Sequence, residues 1–93
     1  MKKVKNVYKS KKLIRVFLEY NERSRTIHAI KITGDFFIYP EESIEKLEGS
    51  LVGSKLERDI IRQRIDVALK NSEVFGFDNE SITEAILGCV NDR

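Results

Sequence analysis

Hydrophobic and polar positions alternate in the first part of the chain and change to a helical period near residue 40. Alternation over residues 13–20 predicts a half-buried strand, and the next strand is predicted from about Thr26 to Thr33. The polar segment 21–25 joins them as an antiparallel hairpin, and a weaker alternation over residues 3–8 predicts a short edge strand. The inward-facing positions of the two main strands are Ile14, Val16, Leu18 and Tyr20, and then Ile30 and Ile32.

Three helices are predicted after the strands. Pro40 suits the first turn of a helix, because its missing N–H costs nothing there, and Gly49 is placed to cap the C-terminus of that helix. Ser54 and Glu57 have the spacing of a capping box, which predicts a second helix running to about Asn71. Its inward-facing positions are Ile61, Ile65, Ala68 and Leu69.

The last helix is predicted from Ser81 and Glu84, which repeat the capping-box spacing. Its inward side chains would include Cys89, as a small core hydrophobe. The loop over residues 72–78 is expected to pack its three apolar side chains under itself; they are Val74, Phe75 and Phe77.

Strands followed by helices indicate an α+β fold, a two-layer sandwich in which about three helices cover one face of a small antiparallel sheet of two to three strands. A chain of 93 residues has the size of a single domain spanning residues 1–93, with one compact core.

Charge is distributed unevenly along the chain. Residues 1–18 carry seven basic side chains and no acidic one, whereas residues 19–93 carry ten basic and fifteen acidic ones. Residues 1–12 therefore have two interpretations. A basic arm would steer an anionic partner, and a lysine-rich edge strand would protect the sheet against aggregation.

Several kinds of chemistry are not supported by the residues present. Cys89 is the only cysteine and His28 the only histidine, which excludes an internal disulfide and a thiolate metal site and leaves no evident hydrolytic triad. The glycines are never spaced as in a phosphate-binding loop. No apolar run approaches the roughly 20 residues that span a bilayer, and no secretory signal is present. We therefore expect a cytoplasmic protein without catalytic or metal-binding residues.

The segment 34–40 is the one place where a glycine, an acid, adjacent aromatics and the only proline come together. A bulge that ends a strand would explain Gly34, and Asp35 could cap the turn. Neighbouring residues of a strand point to opposite faces. If Phe36 fills the core, Phe37 therefore faces outward and needs a second partner, which indicates an apolar patch for protein contact.

The same segment carries a family resemblance. The run from Ile32 to Glu42, followed by Leu51-Val52-Gly53, resembles the C-terminal accessory domain of lipoate–protein ligases, and the stretch from Lys12 to Val16 resembles its Gly-Lys-Leu strand entry. The resemblance covers roughly residues 9–90. Lys11 stands where that family has a glycine.

The resemblance implies an accessory role. In that family a large domain binds lipoate and ATP, forms lipoyl-adenylate and transfers the lipoyl group to a lysine of an acceptor, either a lipoyl domain of a 2-oxoacid dehydrogenase complex or the glycine cleavage H protein. The small domain, in some organisms a separate polypeptide, supports activation without catalytic residues of its own.

This chain is similar to that separate subunit. It is thus expected to pair with a catalytic large subunit as a heterodimer, with lipoate, ATP and Mg²⁺ on the partner and no cofactor of its own. The expected docking element comprises Gly34, Asp35, Phe36, Phe37 and Pro40. Lys12 is a further candidate, for contact with an anionic nucleotide or an acidic partner surface.

Two other functions remain open at this point. The basic N-terminal segment could make the chain a small nucleic-acid-binding module, since lysines supply phosphate affinity. The acidic remainder of the chain and the absence of a known nucleic-acid-binding motif speak against it. A free-standing interaction domain with an unrelated partner is the other alternative.

Overall fold

The computed structural model describes residues 1–9 and 11–90. These residues form two antiparallel sheets and three helices. In chain order the elements are β1 (Lys2–Lys9), β2 (Leu13–Asn21), β3 (Thr26–Gly34), β4 (Phe37–Tyr39), α1 (Ser43–Leu51), α2 (Arg58–Ala68), β5 (Glu73–Phe75) and α3 (Asn79–Leu87). None of these helices is long and apolar enough to cross a membrane.

The larger sheet has the strand order β1-β2-β3, and both of its strand pairs are antiparallel. The predicted edge strand is thus confirmed as β1, and the predicted hairpin as β2 and β3. A bulge near Glu19 and Tyr20 shifts the register so that Tyr20 pairs with Ile27. The alternation seen in the sequence is confirmed on β2, whose buried residues are Ile14, Val16, Leu18 and Tyr20.

All three helices lie on the same face of this sheet. α1 contacts β3, α3 contacts β1 and β2, and α2 packs against the other two helices. The predicted two-layer α+β fold is therefore confirmed. The core between the layers is built mainly from branched aliphatic residues; its fully buried members include Ile14, Val16, Leu47, Leu51, Ile61, Ile65, Ile82 and Ile86.

The second sheet is a short ribbon formed by β4 and β5. Phe37 pairs with Phe75, Ile38 with Val74, and Tyr39 with Glu73. We predicted a loop over residues 72–78 with Val74, Phe75 and Phe77 packed under it. Residues 73–75 form β5 instead and Phe75 is exposed, whereas Phe77 is buried and Val74 packs against the core, as predicted. Phe75 points away from the core because it shares the outer face of the ribbon with Phe37.

The predicted boundaries of α1 were wrong at both ends. Pro40 lies before the helix, in a turn in which its carbonyl accepts a hydrogen bond from the Ser43 N–H at 3.0 Å. Gly49 does not end the helix, which continues to Leu51. Leu47 and Leu51 are one turn apart and both fully buried, so their packing holds the last turn in place.

Neither predicted capping box forms. The segment from Ser54 to Leu56 is bound to the end of the hairpin instead: Ile27 N–H donates to the Ser54 carbonyl at 2.9 Å and Leu56 N–H to the Arg25 carbonyl at 2.9 Å. α2 can therefore begin only after Glu57 and runs from Arg58 to Ala68, where we had expected it to reach Asn71.

The capping box of α3 uses a different pair of residues. The Asp78 carboxylate accepts a hydrogen bond from the Ser81 N–H at 2.7 Å, and the Ser81 hydroxyl accepts one from the Asp78 N–H at 2.9 Å. Asp78 is thus the N-cap residue and Ser81 the N3 residue, so the box begins three residues earlier than the sequence indicated.

Candidate functional site

Three chain segments meet where the larger sheet passes into the ribbon, and we call this place the junction: Lys12–Leu13, Gly34–Phe37 and Gly76. Lys12 N–H donates to the Gly76 carbonyl at 3.2 Å, and Asp35 N–H donates to the Leu13 carbonyl at 3.0 Å. Residues far apart in the sequence are thereby fixed through their backbones. The structure brings Lys12 to the same place as Gly34, Asp35, Phe36 and Phe37.

Two glycines make this close approach possible. A Cβ on Gly34 would lie 2.1 Å from the Leu13 carbonyl oxygen, and the residue has a φ of +152°. Gly76 has a φ of +111°, and a Cβ there would lie 3.0 Å from the Lys12 Cγ and from the Phe36 Cβ. Both positions therefore combine a backbone conformation that favours glycine with insufficient space for a side chain.

The two adjacent phenylalanines point in opposite directions, as the alternation predicted. Phe36 is partly buried and contacts Phe77 edge to face, with ring centroids 4.9 Å apart. Phe37 is 57% exposed. Phe36 thus anchors the junction to the core while Phe37 is presented to the outside.

The outer face of the ribbon carries three exposed aromatic residues, Phe37, Tyr39 and Phe75, which we call the aromatic face. Tyr39 is 61% and Phe75 58% exposed. The rings of Phe37 and Phe75 lie across the two strands with centroids 6.1 Å apart. Aromatic side chains supply a large contact area at low entropic cost, and exposed groups of them mark interaction surfaces.

Tyr39 and Phe75 were not among the predicted site residues. Tyr39 belongs to the same alternating run as Phe37, so a period of two from Phe37 could have identified it. Phe75 lies in a segment that pairs with β4 only in the folded chain. No local pattern in the sequence indicates that pairing.

Of the remaining predicted site residues, Lys12 and Asp35 belong to the junction and Pro40 follows the ribbon. The side chains of Asp35 and Lys12 are exposed, and Pro40 is partly buried in the turn before α1. Asp78 is near the junction, and the pKa of its carboxyl is lowered, mainly by the hydrogen bonds from the Ser81 side chain and backbone and to a smaller extent by the charge of Lys11. Among residues 1–9 and 11–90, no group of three or more acidic, histidine or cysteine side chains is arranged to hold a metal ion.

Comparison with known proteins identifies the class. Residues 13–86 match the family model for the C-terminus of bacterial lipoate protein ligase, and the chain belongs to this family. The matched region contains the junction from Leu13 onward and the whole aromatic face.

Two further matches both come from Thermoplasma acidophilum. Lipoate-protein ligase A subunit 2 is 49% identical over 61 residues, which is 62% of this chain and 62% of that protein. A chain in a solved structure of an archaeal lipoylation system, a bi-partite lipoate protein ligase and its E2 lipoyl domain, superimposes with a TM-score of 0.81 at 33% identity. That match covers 91% of this chain and 94% of the other.

Proposed function

We propose that this chain is the accessory subunit of a two-part lipoate–protein ligase. It docks on a separate catalytic subunit, which binds lipoate, ATP and Mg²⁺ and forms lipoyl-adenylate. The lipoyl group then passes to a lysine of an acceptor lipoyl domain or glycine cleavage H protein. The accessory subunit contributes preorganisation of the adenylating site, since binding energy spent on ordering a site accelerates the reaction there.

The observation that carries this proposal is the aromatic face beside the junction. Three aromatic side chains are each more than half exposed: Phe37, Tyr39 and Phe75. A related chain belongs to a bi-partite lipoate protein ligase, so a partner that covers these side chains is expected. Buried aromatic anchors dominate the energetics of protein interfaces. The aromatic face is therefore the docking surface for the catalytic subunit, and Gly34, Asp35, Phe36 and Pro40 hold it in place.

The decisive measurement is lipoate-dependent ATP–pyrophosphate exchange by the catalytic subunit, titrated with this chain. We expect strong stimulation by the wild-type chain. For the double variant Phe37→Ser/Phe75→Ser, the concentration that gives half-maximal stimulation should be about tenfold higher than for the wild type. This is the size expected for loss of an interface hot spot. No stimulation by the wild-type chain would refute the proposed function.

Val67→Ser is the matched control for the aromatic variant. Val67 lies on α2 and is 71% exposed, so its replacement removes exposed apolar surface outside the proposed interface. Its titration curve should coincide with that of the wild type. If Val67→Ser and Phe37→Ser/Phe75→Ser weakened stimulation equally, the docking surface would not be the aromatic face.

Lys12 has a separate proposed role, contact between its ammonium group and the bound nucleotide or an acidic surface of the partner. Its position is fixed through its backbone N–H, so Lys12→Ala should leave the fold intact. We expect this variant to lower the maximal exchange rate without changing the concentration needed for half-maximal stimulation. Lys11→Ala is the control for the same loss of charge one residue away, and an equal effect of both variants would contradict a specific role.

A further inference from the structure

The outer face of the three-stranded sheet is the side that no helix covers, and its side chains form rows across the strands. The register places Lys5, Phe17 and Lys31 directly opposite one another on β1, β2 and β3. Side chains opposite each other in such a sheet are in contact range, and the Lys5 Nζ lies 5.8 Å from the centre of the Phe17 ring. An apolar ring is thus flanked by a cation on each side.

The neighbouring rows extend this pattern. Val7, which is 52% exposed, lies beside Arg15, and Phe17 itself is 41% exposed. The basic side chains of this face are Lys3, Lys5, Lys9, Arg15 and Lys31. Five positive charges against the single acid Glu19 give the face a formal charge of +4. Its centre is therefore apolar and its surroundings basic.

Most of the basic side chains on the outer face lack an acidic partner in the part of the chain that the structure describes. Glu19 is already shared by Lys3 at 3.9 Å and His28 at 4.0 Å. Within residues 1–9 and 11–90, Lys5, Lys9, Arg15 and Lys31 form no ion pair. In the helix layer Arg58 and Arg62 are paired with acids of α2 and α3, whereas Lys46, Arg64 and Lys70 form no ion pair within the same residues. Four of the five basic side chains on the uncovered face are thus without an acidic partner among the described residues.

We propose that this outer face receives the acceptor domain, binding an acidic surface around the lysine-bearing region of that protein. The proposal rests on the proposed function, because it assigns the second protein that an assembled ligase must contact. Complementary charge raises the rate at which such a partner is captured, and the exposed ring of Phe17 supplies an apolar contact at the centre.

The position of the face suits this role. Leu13, whose carbonyl binds Asp35 in the junction, lies on β2 four residues from Phe17. At about 3.3 Å per residue in a strand, the centre of the outer face is about 13 Å from the junction. The proposed acceptor face is thus one short length of strand away from the junction that carries the aromatic face.

The test is a comparison of lipoyl transfer with adenylation, using the assembled two-part ligase and the unmodified E2 lipoyl domain of the same organism. The variant Lys5→Glu/Lys31→Glu should raise the KM for the lipoyl domain about tenfold at low salt, in the range known for electrostatic steering. The difference should shrink at high salt as the charges are screened. The kcat of transfer and the ATP–pyrophosphate exchange rate should stay unchanged.

The control variant Lys46→Glu/Lys70→Glu makes the same change of net charge at two exposed positions outside the sheet, and its KM should remain that of the wild type. Phe17→Ser should raise the KM without the salt dependence. An unchanged KM in Lys5→Glu/Lys31→Glu would refute the proposal. Loss of exchange in that variant would also refute it, since the face would then belong to the catalytic subunit.

Nucleic acid is the competing occupant of a basic face with an exposed ring. Sub-micromolar binding of a mixed-sequence single-stranded RNA of 20 nucleotides to the assembled ligase at physiological salt, lost in Lys5→Glu/Lys31→Glu, would overturn the assignment to a protein partner. A wild-type ligase that shows no lipoate-dependent exchange would instead refute the proposed function itself. The two failures are thus distinguishable.

Discussion

Gly34 occupies a position where the surrounding backbone leaves no room for a side chain. A Cβ at this position would lie 2.1 Å from the Leu13 carbonyl oxygen, and the φ of +152° is one that residues with side chains rarely adopt. We expect Gly34→Ala to lower the free energy of unfolding by about 2–4 kcal/mol, from backbone strain and from displacement of Leu13. Urea denaturation followed by circular dichroism measures this loss.

Gly49→Ala is the matched control for that substitution. Gly49 lies inside α1 and a Cβ there would meet nothing within 4 Å. Alanine has a higher helix propensity than glycine, so the free energy of unfolding of this variant should be roughly 0.5–1 kcal/mol higher than that of the wild type. Equal effects of the two substitutions would show that neither the close contact nor the backbone conformation at Gly34 matters for stability.

Asp78 stabilises α3 through its capping box. Asp78→Ala should therefore lower the free energy of unfolding by about 1 kcal/mol at pH 7. The pKa of the Asp78 carboxyl is lowered by the hydrogen bonds from Ser81. A lowered folded-state pKa means that this stabilisation is present above the unfolded pKa of about 3.9 and is lost as the pH falls through the folded value. The difference in unfolding free energy between the wild type and Asp78→Ala should therefore shrink below about pH 4.

Asp78→Asn separates the charge from the geometry of the cap. Asparagine is also a good N-cap residue and does not titrate in this range. The difference in unfolding free energy between Asp78→Asn and Asp78→Ala should therefore not change between pH 7 and pH 3. A wild-type advantage over Asp78→Ala that persisted unchanged to pH 3 would contradict a role for the ionised carboxylate.

At the scale of secondary-structure elements, the outer edge of β3 is closed by the segments that follow it. Gly53 N–H donates to the Ile27 carbonyl at 2.7 Å, and Ile27 N–H donates to the Ser54 carbonyl at 2.9 Å. Further along the edge, the Glu48 carboxylate of α1 accepts a hydrogen bond from the Ile32 N–H at 2.7 Å. Backbone groups that would otherwise invite another strand are thereby satisfied.

Removal of the Glu48 carboxylate should open this edge locally. Glu48→Ala leaves the partly buried Ile32 N–H without its acceptor, at a cost of about 1–3 kcal/mol. Amide hydrogen exchange by NMR should show faster exchange at Ile32 than in the wild type, and Glu48→Gln, which keeps an acceptor oxygen, should retain most of the protection. Unchanged exchange at Ile32 in Glu48→Ala would mean that this hydrogen bond does not protect the edge.

The elements differ in how far their sequence predicts them. β2 could be predicted because its alternation from Ile14 to Tyr20 records burial on one side only. The start of α2 could not, because Ser54 and Leu56 are held by hydrogen bonds to the hairpin some thirty residues earlier. The residues of the candidate site also differ in whether the sequence predicts them. The outward direction of Phe37 follows from its neighbour Phe36, whereas Phe75 joins the aromatic face only through long-range strand pairing.

At the scale of the whole molecule, the two layers are held together partly by the last turn of the described chain. Cys89 follows α3, and its thiol lies 3.8 Å from the Val16 carbonyl of β2 and 3.7 Å from the Ala85 carbonyl. Burial raises the pKa of this thiol to about 11. Since the thiolate is the reactive form, Cys89 reports on whether α3 is seated on the sheet.

We therefore expect alkylation of Cys89 by iodoacetamide at pH 8 to be on the order of 100-fold slower in the folded protein than in urea, where an ordinary cysteine pKa near 8.5 applies. A raised folded-state pKa also means that ionisation of the thiol opposes folding as the pH rises above the unfolded value. The wild type should thus lose stability relative to Cys89→Ala between about pH 9 and pH 11. Similar alkylation rates in native and denatured protein would show that α3 separates readily from the sheet, and a pH-independent difference between wild type and Cys89→Ala would show that the thiol is not desolvated.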